Sequence, residues 1–316
     1  MKEKLVVIVG PTAVGKTKTS VELAKAINGE IISGDSMQIY KGLNIGTAKV
    51  SDDEKDGITH HLLDIKDPTE PYSVAEFQHN ARNLIHEINK RGKIPIIAGG
   101  TGLYIRSVTH DYEFSEARKN DELRNKFQQK ADEHGADSLH EELKRVDPIR
   151  AAEIHPNNVH RVIRALEIYY ETGNVPSNEQ KNKGNEMESN YDLALVGLTM
   201  DREILYERIN RRVDLMIDQG VIEEAKWLLS MDISNSLAAK AIGYKELFPY
   251  LLGDSTLEEA VTILKRNSRR YAKRQFTWFN NQMNIQWFSM DKAPFDKKFR
   301  EILHFVEGKL KISENV

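Results

Sequence analysis

The octapeptide Gly10-Pro11-Thr12-Ala13-Val14-Gly15-Lys16-Thr17 satisfies the pattern G-x-x-x-x-G-K-[ST] at every defined position. It follows an apolar run at residues 5–9, with the length and β-branching of a buried strand, and opens a helix-like stretch at 17–27. A strand, a glycine-rich loop and a helix in that order make a phosphate cradle. Glycines let backbone N–H groups curl around anionic oxygens, and the helix N-terminus adds positive potential. Lys16 supplies a mobile charge for a terminal phosphate, and the Thr17 hydroxyl is placed to hold Mg²⁺. The pattern requires a diphosphate or polyphosphate and leaves open which molecule carries it.

The surrounding texture fits an α/β core. Residues 30–33 form a second strand ending at Gly34-Asp35. Residues 73–91 have helical periodicity, with Val74, Phe77, Ala81, Leu84, Ile85 and Ile88 on one face, and 94–98 are a third strand stopped by Gly99-Gly100. Strands alternating with helices predict parallel β-α-β units and a sheet covered on both faces. After Tyr112 the chain changes: 115–171 are helical and charged, and 176–190 form a polar stretch whose single non-proline apolar residue is Met187, expected as a surface loop or hinge. Strand character returns at 193–198, and the remainder is mostly helical. The expected fold is therefore α/β, a P-loop NTPase-like parallel sheet core from 1–112 and 191–316 with a mostly helical insertion at 113–190. The polar tail after Gly308 is expected to fray.

Composition narrows the function classes. There is no cysteine, which excludes disulfides, thiolate metal sites and a cysteine nucleophile, and suits a reducing cytoplasm. Hydrophobic residues at 40% and charged residues at 29% describe a folded soluble chain, and no apolar run reaches membrane-spanning length. A net charge of −3 makes this no polycation, although nucleic-acid binding depends on where charge sits. Nothing in the sequence demands more than a monomer.

Ligands of open α/β sheets bind at the carboxyl ends of strands, where Asp35 and Thr101 stand beside the cradle. Asp35, in Ser33-Gly34-Asp35-Ser36-Met37-Gln38, taken alone also reads as a turn or N-cap residue, as Asp-Ser sequences very often are. A motor or switch ATPase would ordinarily end a strand in a metal-holding Asp, whereas here the third strand runs into Gly99-Gly100-Thr101-Gly102. In order along the chain come GPTAVGKT, ISGDSMQIYKGLNIGTAK, HHLLDI, PYSVAEF, IPIIAGGTGLYI, IHPNNVHRVIRALEIYYETG, RRVDLMIDQGVIEEA, AIGYKEL and YAKRQFTWF. Together, over about residues 5–280, they closely resemble the tRNA dimethylallyltransferase (tRNA isopentenyltransferase) family, in its shorter bacterial form without the cysteine-dependent zinc finger that eukaryotic members can carry.

The resemblance implies transfer of a dimethylallyl group from dimethylallyl diphosphate to N6 of the adenosine 3′-adjacent to the anticodon, in the anticodon stem-loop of tRNA. It makes Asp35 the general base for a weakly nucleophilic amine and places Thr101 second in the active site. The diphosphate would lie on Gly10, Thr12, Ala13, Val14, Gly15, Lys16 and Thr17, with Mg²⁺ near Thr17. Ser36, Met37 and Gln38 match the segment that reads a target base unstacked into the pocket. Arg124, His160, Arg161 and Arg164 match tRNA-contacting positions, although His160 stands where relatives commonly carry Arg or Gln. The tRNA is expected to pass between core and insertion.

Two basic features remain ambiguous at this level. Residues 265–275 hold six cations and no acid, which reads as a backbone-phosphate stripe or a solvated helix face. Arg208 and Arg212, one turn apart, suit a diphosphate or neighbouring acids. Asp52-Asp53-Glu54-Lys55-Asp56 imitates the metal-diphosphate signature of chain-elongating isoprenoid synthases, yet reads better as a charged surface loop. His60 and His61 would face opposite sides of a strand and so not share a metal. Val162, Leu166, Tyr169 and Tyr170 are expected in a core, and Trp227, Trp278 and Trp287 as packing residues. A P-loop kinase and a non-catalytic RNA-binding protein are the alternative readings.

Overall fold

In strand β1 (Lys4–Val9) every residue from Leu5 to Val9 is fully shielded from solvent. Alternate side chains enter different cores, Leu5, Val7 and Val9 on one face and Val6 and Ile8 on the other, which is why the run is apolar without interruption. This is the centre of an α/β fold seen in a computed structural model that describes residues 2–110, 120–177, 189–231, 233 and 236–312.

Six strands make one sheet in the order β3-β2-β4-β1-β5-β6, and all neighbours pair in parallel. The others are β2 (Gly29–Ser33), β3 (His60–His61), β4 (Ile94–Gly99), β5 (Asp192–Thr199) and β6 (Gln286–Ser289). Helix α1 (Lys16–Ala26) packs on one face. On the other lies α3 (Val74–Lys90), which buries Phe77, Ala81, Ile85 and Ile88 and is capped by the Ser73 hydroxyl accepting from Glu76 N–H. Phe77 stacks on Tyr104 of α4 (Gly102–Thr109), with ring centroids 4.4 Å apart.

Parallel pairing places the carboxyl ends of β1, β2 and β4 along one edge. The register sets Val9 beside Gly99 and Ser33 beside Ala98, so the loops starting at Gly10, Gly34 and Gly100 lie side by side. Gly34 N–H donates to Ala98 O at 2.8 Å, and a Cβ on Gly99 would stand 2.3 Å from Gly34 O. Backbones this close bring the Asp35 and Thr101 segments together.

The chain divides into two compact units, Met1–Tyr112 with Ser189–Val316, and Glu113–Glu188. The second contains α5 (Asp121–His134), α6 (Ala136–Val146), α7 (Pro148–Glu153) and α8 (Val159–Thr172), around Phe127, Leu139, Leu143, Ile154, Val162 and Leu166. In the first unit, β5 is followed by α9 (Arg202–Asp218), α10 (Val221–Leu229), α11 (Phe248–Leu252), α12 (Leu257–Gln282) and α13 (Phe295–Leu310).

Several local expectations change. β3 and β6 are strands that the sequence does not announce, being two and four residues long, with polar and aromatic residues on the sheet edges. Residues Asp52–Lys55 are a one-turn helix (α2) rather than a loop, because Ser51 and Glu54 form a reciprocal capping box. Tyr170 is 53% exposed and not in the core, its hydroxyl donating to Glu142 Oε1 at 3.0 Å. Val74 and Leu84 are only partly buried. The tail does not fray directly after Gly308, since Leu310 packs into the core. Of the stretch 176–190, residues 178–188 lie outside the described residues, as do 113–119 of the expected insertion. Ser177 is buried, with its N–H bonded to Asp147 Oδ2 at 2.9 Å.

Candidate active site

The loop between β1 and α1 is bent by its sequence. Gly10 has φ 150°, and a Cβ there would stand 2.5 Å from the Leu198 carbonyl oxygen. Ala13 is held at φ 67°, a left-handed conformation costly for a side-chain-bearing residue. Thr12, Ala13, Gly15, Lys16 and Thr17 line a cleft of about 560 Å³, whereas the Val14 side chain is buried in the core beneath. Lys16 Nζ donates to the carbonyls of Gly10 at 3.0 Å and Pro11 at 2.9 Å. Burial lowers its pKa to about 8, the charge of Arg212 pushing the same way and that of Asp35 pulling back.

Asp35, Ser36, Met37 and Gln38 line the same cleft. Asp35 Oδ1 accepts from Met37 N–H at 2.8 Å, the Asx-turn anticipated as the alternative reading, and the residue lines the cleft as well. Burial raises its carboxyl above the usual range, partly offset by that hydrogen bond and by Lys16. A raised carboxylate is a better proton acceptor near neutral pH. Gln38 is held on both sides: its Oε1 accepts from Ser33 Oγ at 3.2 Å, and its Nε2 donates to Ala48 O at 3.2 Å. Thr101 Oγ1 accepts from Ser36 N–H at 3.2 Å, directly behind the lining.

Arg208 and Arg212 both line the cleft, and Arg212 NH1 reaches Thr12 Oγ1 at 3.3 Å. Two arginines beside the half-buried Lys16, with Asp35 and Glu54 as the acids in the lining, suit the cleft to an anion. Thr17 stands at the first turn of α1, in the lining, and its hydroxyl has no partner among the described residues. No cluster of three or more His, Asp or Glu able to hold a metal occurs among them. Thr17 is the cradle residue that would hold a Mg²⁺ beside substrate phosphate, where the ion would lend positive charge.

The basic segment 265–275 falls on α12 and divides by direction. Arg274 lines the cleft with Ser268, Tyr271 and Gln275, Arg269 donates to Asn210 Oδ1, and Lys265 pairs with Asp214. Arg266, Arg270 and Lys273 are exposed.

In the second unit, Arg124 and Arg164 converge on Glu167, which is fully buried. Arg124 donates from Nε at 2.7 Å and NH2 at 2.9 Å, Arg164 from NH1 at 2.5 Å, and Asn120 N–H adds a bond at 2.8 Å. Those bonds hold the Glu167 carboxyl below its ordinary pKa despite burial. Both arginines thus serve the unit's packing through one face, while His160 and Arg161 are exposed on the first turn of α8. His61 bonds Glu30 Oε2 at 2.8 Å, while His60 bonds the Ile58 carbonyl and lines the cleft.

Three residues here escape sequence reasoning. Glu224 of α10 accepts from the N–H groups of Asn44, Ile45 and Gly46 at 2.8, 3.0 and 2.9 Å and from Tyr244 O–H at 2.6 Å, shaping the loop that ends at Gln38's partner Ala48. Tyr271 stands within hydrogen-bonding reach of Thr101 and Gln275, its hydroxyl kept protonated by burial and by Asp35's charge. Gln275 bonds both Thr12 and Gly100. The one available signal was the four-residue spacing of Tyr271 and Gln275, which puts them on one helix face.

The IPP transferase family model matches residues 38–282. A tRNA dimethylallyltransferase of Anoxybacillus flavithermus is 58% identical over 317 residues, covering 100% of both chains. The crystal structure of a tRNA isopentenylpyrophosphate transferase from Bacillus halodurans is 54% identical with a TM-score of 0.75, over 98% of this chain and 97% of that one. A eukaryotic dimethylallyltransferase acting on tRNA, 31% identical, gives a TM-score of 0.80 over 95% of this chain and 77% of that one. The match is of whole chain to whole chain, in sequence and in fold, and on that ground this chain belongs to the IPP transferase family, the tRNA dimethylallyltransferases.

Proposed function

We propose that this chain transfers a dimethylallyl group from dimethylallyl diphosphate to N6 of the adenosine 3′-adjacent to the anticodon in tRNA. The observation that carries the reading is the sheet register, which sets the cradle and the loops carrying Asp35 and Thr101 at one edge of the sheet, with the cradle and Asp35 lining one cleft and Thr101 bonded to Ser36 of that lining. Lys16, Arg208 and Arg212 meet the charge that grows on the departing diphosphate as its C–O bond breaks. The N6–C bond forms as Asp35 takes the amine proton, and Thr101 holds the Ser36 backbone beside it. Mg²⁺, held by Thr17 and phosphate oxygens, would supply further charge neutralisation when bound. No helix among the described residues is long and apolar enough to cross a membrane.

The test is incubation of the purified protein with Mg²⁺, unmodified tRNA and dimethylallyl diphosphate, followed by nucleoside mass spectrometry. A dimethylallyl increment on adenosine is expected, abolished in Asp35→Ala while tRNA affinity stays within a few fold. Unchanged turnover in that variant would remove Asp35 from the base role. ATP hydrolysis without an adduct would return the cradle to the kinase reading.

A further inference from the structure

Gln275, on α12, is 6% exposed and joins two loops that carry the site. Its Oε1 accepts from Thr12 N–H in the cradle at 2.9 Å, and its Nε2 donates to the Gly100 carbonyl at 3.0 Å. A backbone N–H requires an acceptor and a carbonyl requires a donor, so the chemistry fixes the amide's orientation and demands a side chain carrying both. Gly100 is shaped to admit it, for a Cβ there would stand 2.1 Å from Gln275 Nε2. On one side, Thr12 also receives Arg212 on its hydroxyl. On the other, Gly100 precedes Thr101, which holds Ser36.

We propose that Gln275 is a positioning residue for dimethylallyl transfer, its amide setting the distance between the diphosphate cradle and the Thr101–Ser36 segment beside Asp35. The proposal rests on the reading above that the cradle holds the donor. An amide that spans the two loops keeps the reacting carbon and the amine in register, and a small error in such a distance is costly to rate. Because the same helix presents Tyr271 and Arg274 to the cleft, the bridge also fixes where those groups stand.

The experiment compares wild type, Gln275→Met and Gln275→Glu in single-turnover transfer, in calorimetric titration with inorganic pyrophosphate, in tRNA binding and in thermal unfolding. Gln275→Met removes the amide's hydrogen bonds to Thr12 and Gly100, and its reach to Tyr271, at similar volume. Its transfer rate is expected to fall on the order of tenfold or more, with tRNA affinity retained. Gln275→Glu keeps the acceptor for Thr12 but, while ionised, turns an oxygen toward the Gly100 carbonyl; protonation restores an O–H donor. Its rate relative to wild type is therefore expected to climb as pH is lowered from about 8.5 to about 6, while that of Gln275→Met stays flat. Tyr271, Arg274, Arg212, Lys16 and Asp35, the titratable and charged groups around the amide, are common to all three proteins, so their titration largely divides out of these ratios. Wild-type rates in Gln275→Met overturn the proposal. So does a flat Gln275→Glu ratio, or losses that simply follow the unfolding temperature. Lys16→Ala is the control for the underlying reading: pyrophosphate affinity equal to wild type there would overturn the cradle assignment itself.

Discussion

Lys16 illustrates how a functional charge costs stability. Its ammonium is shielded beside Arg212, and its pKa lies at about 8 against 10.5 for an ordinary lysine. Between those values the unfolded chain holds a proton that the folded chain has released, so this group's contribution to stability rises with pH across that window. Below about pH 8 the folded protein bears the full cost of the buried charge, of order 3 kcal/mol. Lys16→Met is expected to raise the urea midpoint at neutral pH and to narrow its advantage over wild type towards pH 10, while donor binding is lost. Equal midpoints at both ends of the range would show that the charge is not destabilising. Asp35 carries the opposite charge at the same cleft, and as the proposed base, with its pKa raised by burial, it is expected to add an acid limb to the pH–rate profile above the ordinary aspartate value.

At the scale of elements, the loop after β2 is shaped by a helix that follows it by nearly two hundred residues. Glu224 gathers three backbone N–H groups and the Tyr244 hydroxyl on one carboxylate, and Gly46 lies against the Tyr244 ring with no space for a Cβ, which would stand 2.6 Å from it. Hydrogen bonds to a charged acceptor are individually worth about 1.5–3 kcal/mol. Glu224→Gln puts an NH₂ group among donors and loses half the acceptor capacity. Amide exchange at Asn44, Ile45 and Gly46 is expected to accelerate by about tenfold or more, and kcat/KM for tRNA to fall through loss of Gln38's support. Unchanged exchange at those amides would remove Glu224 from any part in ordering the loop. The element α12 matters in a different way, since it delivers Tyr271, Arg274 and Gln275 to the cleft from one face and leaves Arg266, Arg270 and Lys273 outside.

For the molecule as a whole, a net charge of −3 must coexist with binding to a polyanion. Affinity then depends on local clusters and should weaken with salt. Arg269 is engaged with Asn210 and Arg274, although exposed, lines the cleft, so Arg266, Arg270 and Lys273, exposed and outside that lining, are the cleaner test of a phosphate stripe. Replacing all three by Gln is expected to lower the slope of log K against log salt by about 2, with single-turnover rate at saturating tRNA little changed. An unaltered slope would leave that face as a solvated helix surface. Each of the two units has its own hydrophobic core, the cleft belonging to the first and Glu167's ion pairs to the second.

The sequence by itself determined the parts whose chemistry lies among chain neighbours. The cradle octapeptide, the apolar run before it, the strand just before Gly34-Asp35 and the helix 73–91 are all local patterns, and a backbone with few soft dihedrals turns such patterns into elements. It also marked Asp35 and Thr101 through their place after strands. Only the tertiary structure decided which residues meet. Thr12 and Gln275 are 263 positions apart, Glu224 and Asn44 are 180 apart, and Arg124 and Glu167 are 43 apart. No periodicity or propensity records those pairings, because each is made by the sheet register and by helix packing. Short edge strands such as β3 and β6 were hidden for the same reason: their hydrogen bonds are satisfied by a neighbouring strand distant in the chain, so two to four residues suffice once that neighbour is in place.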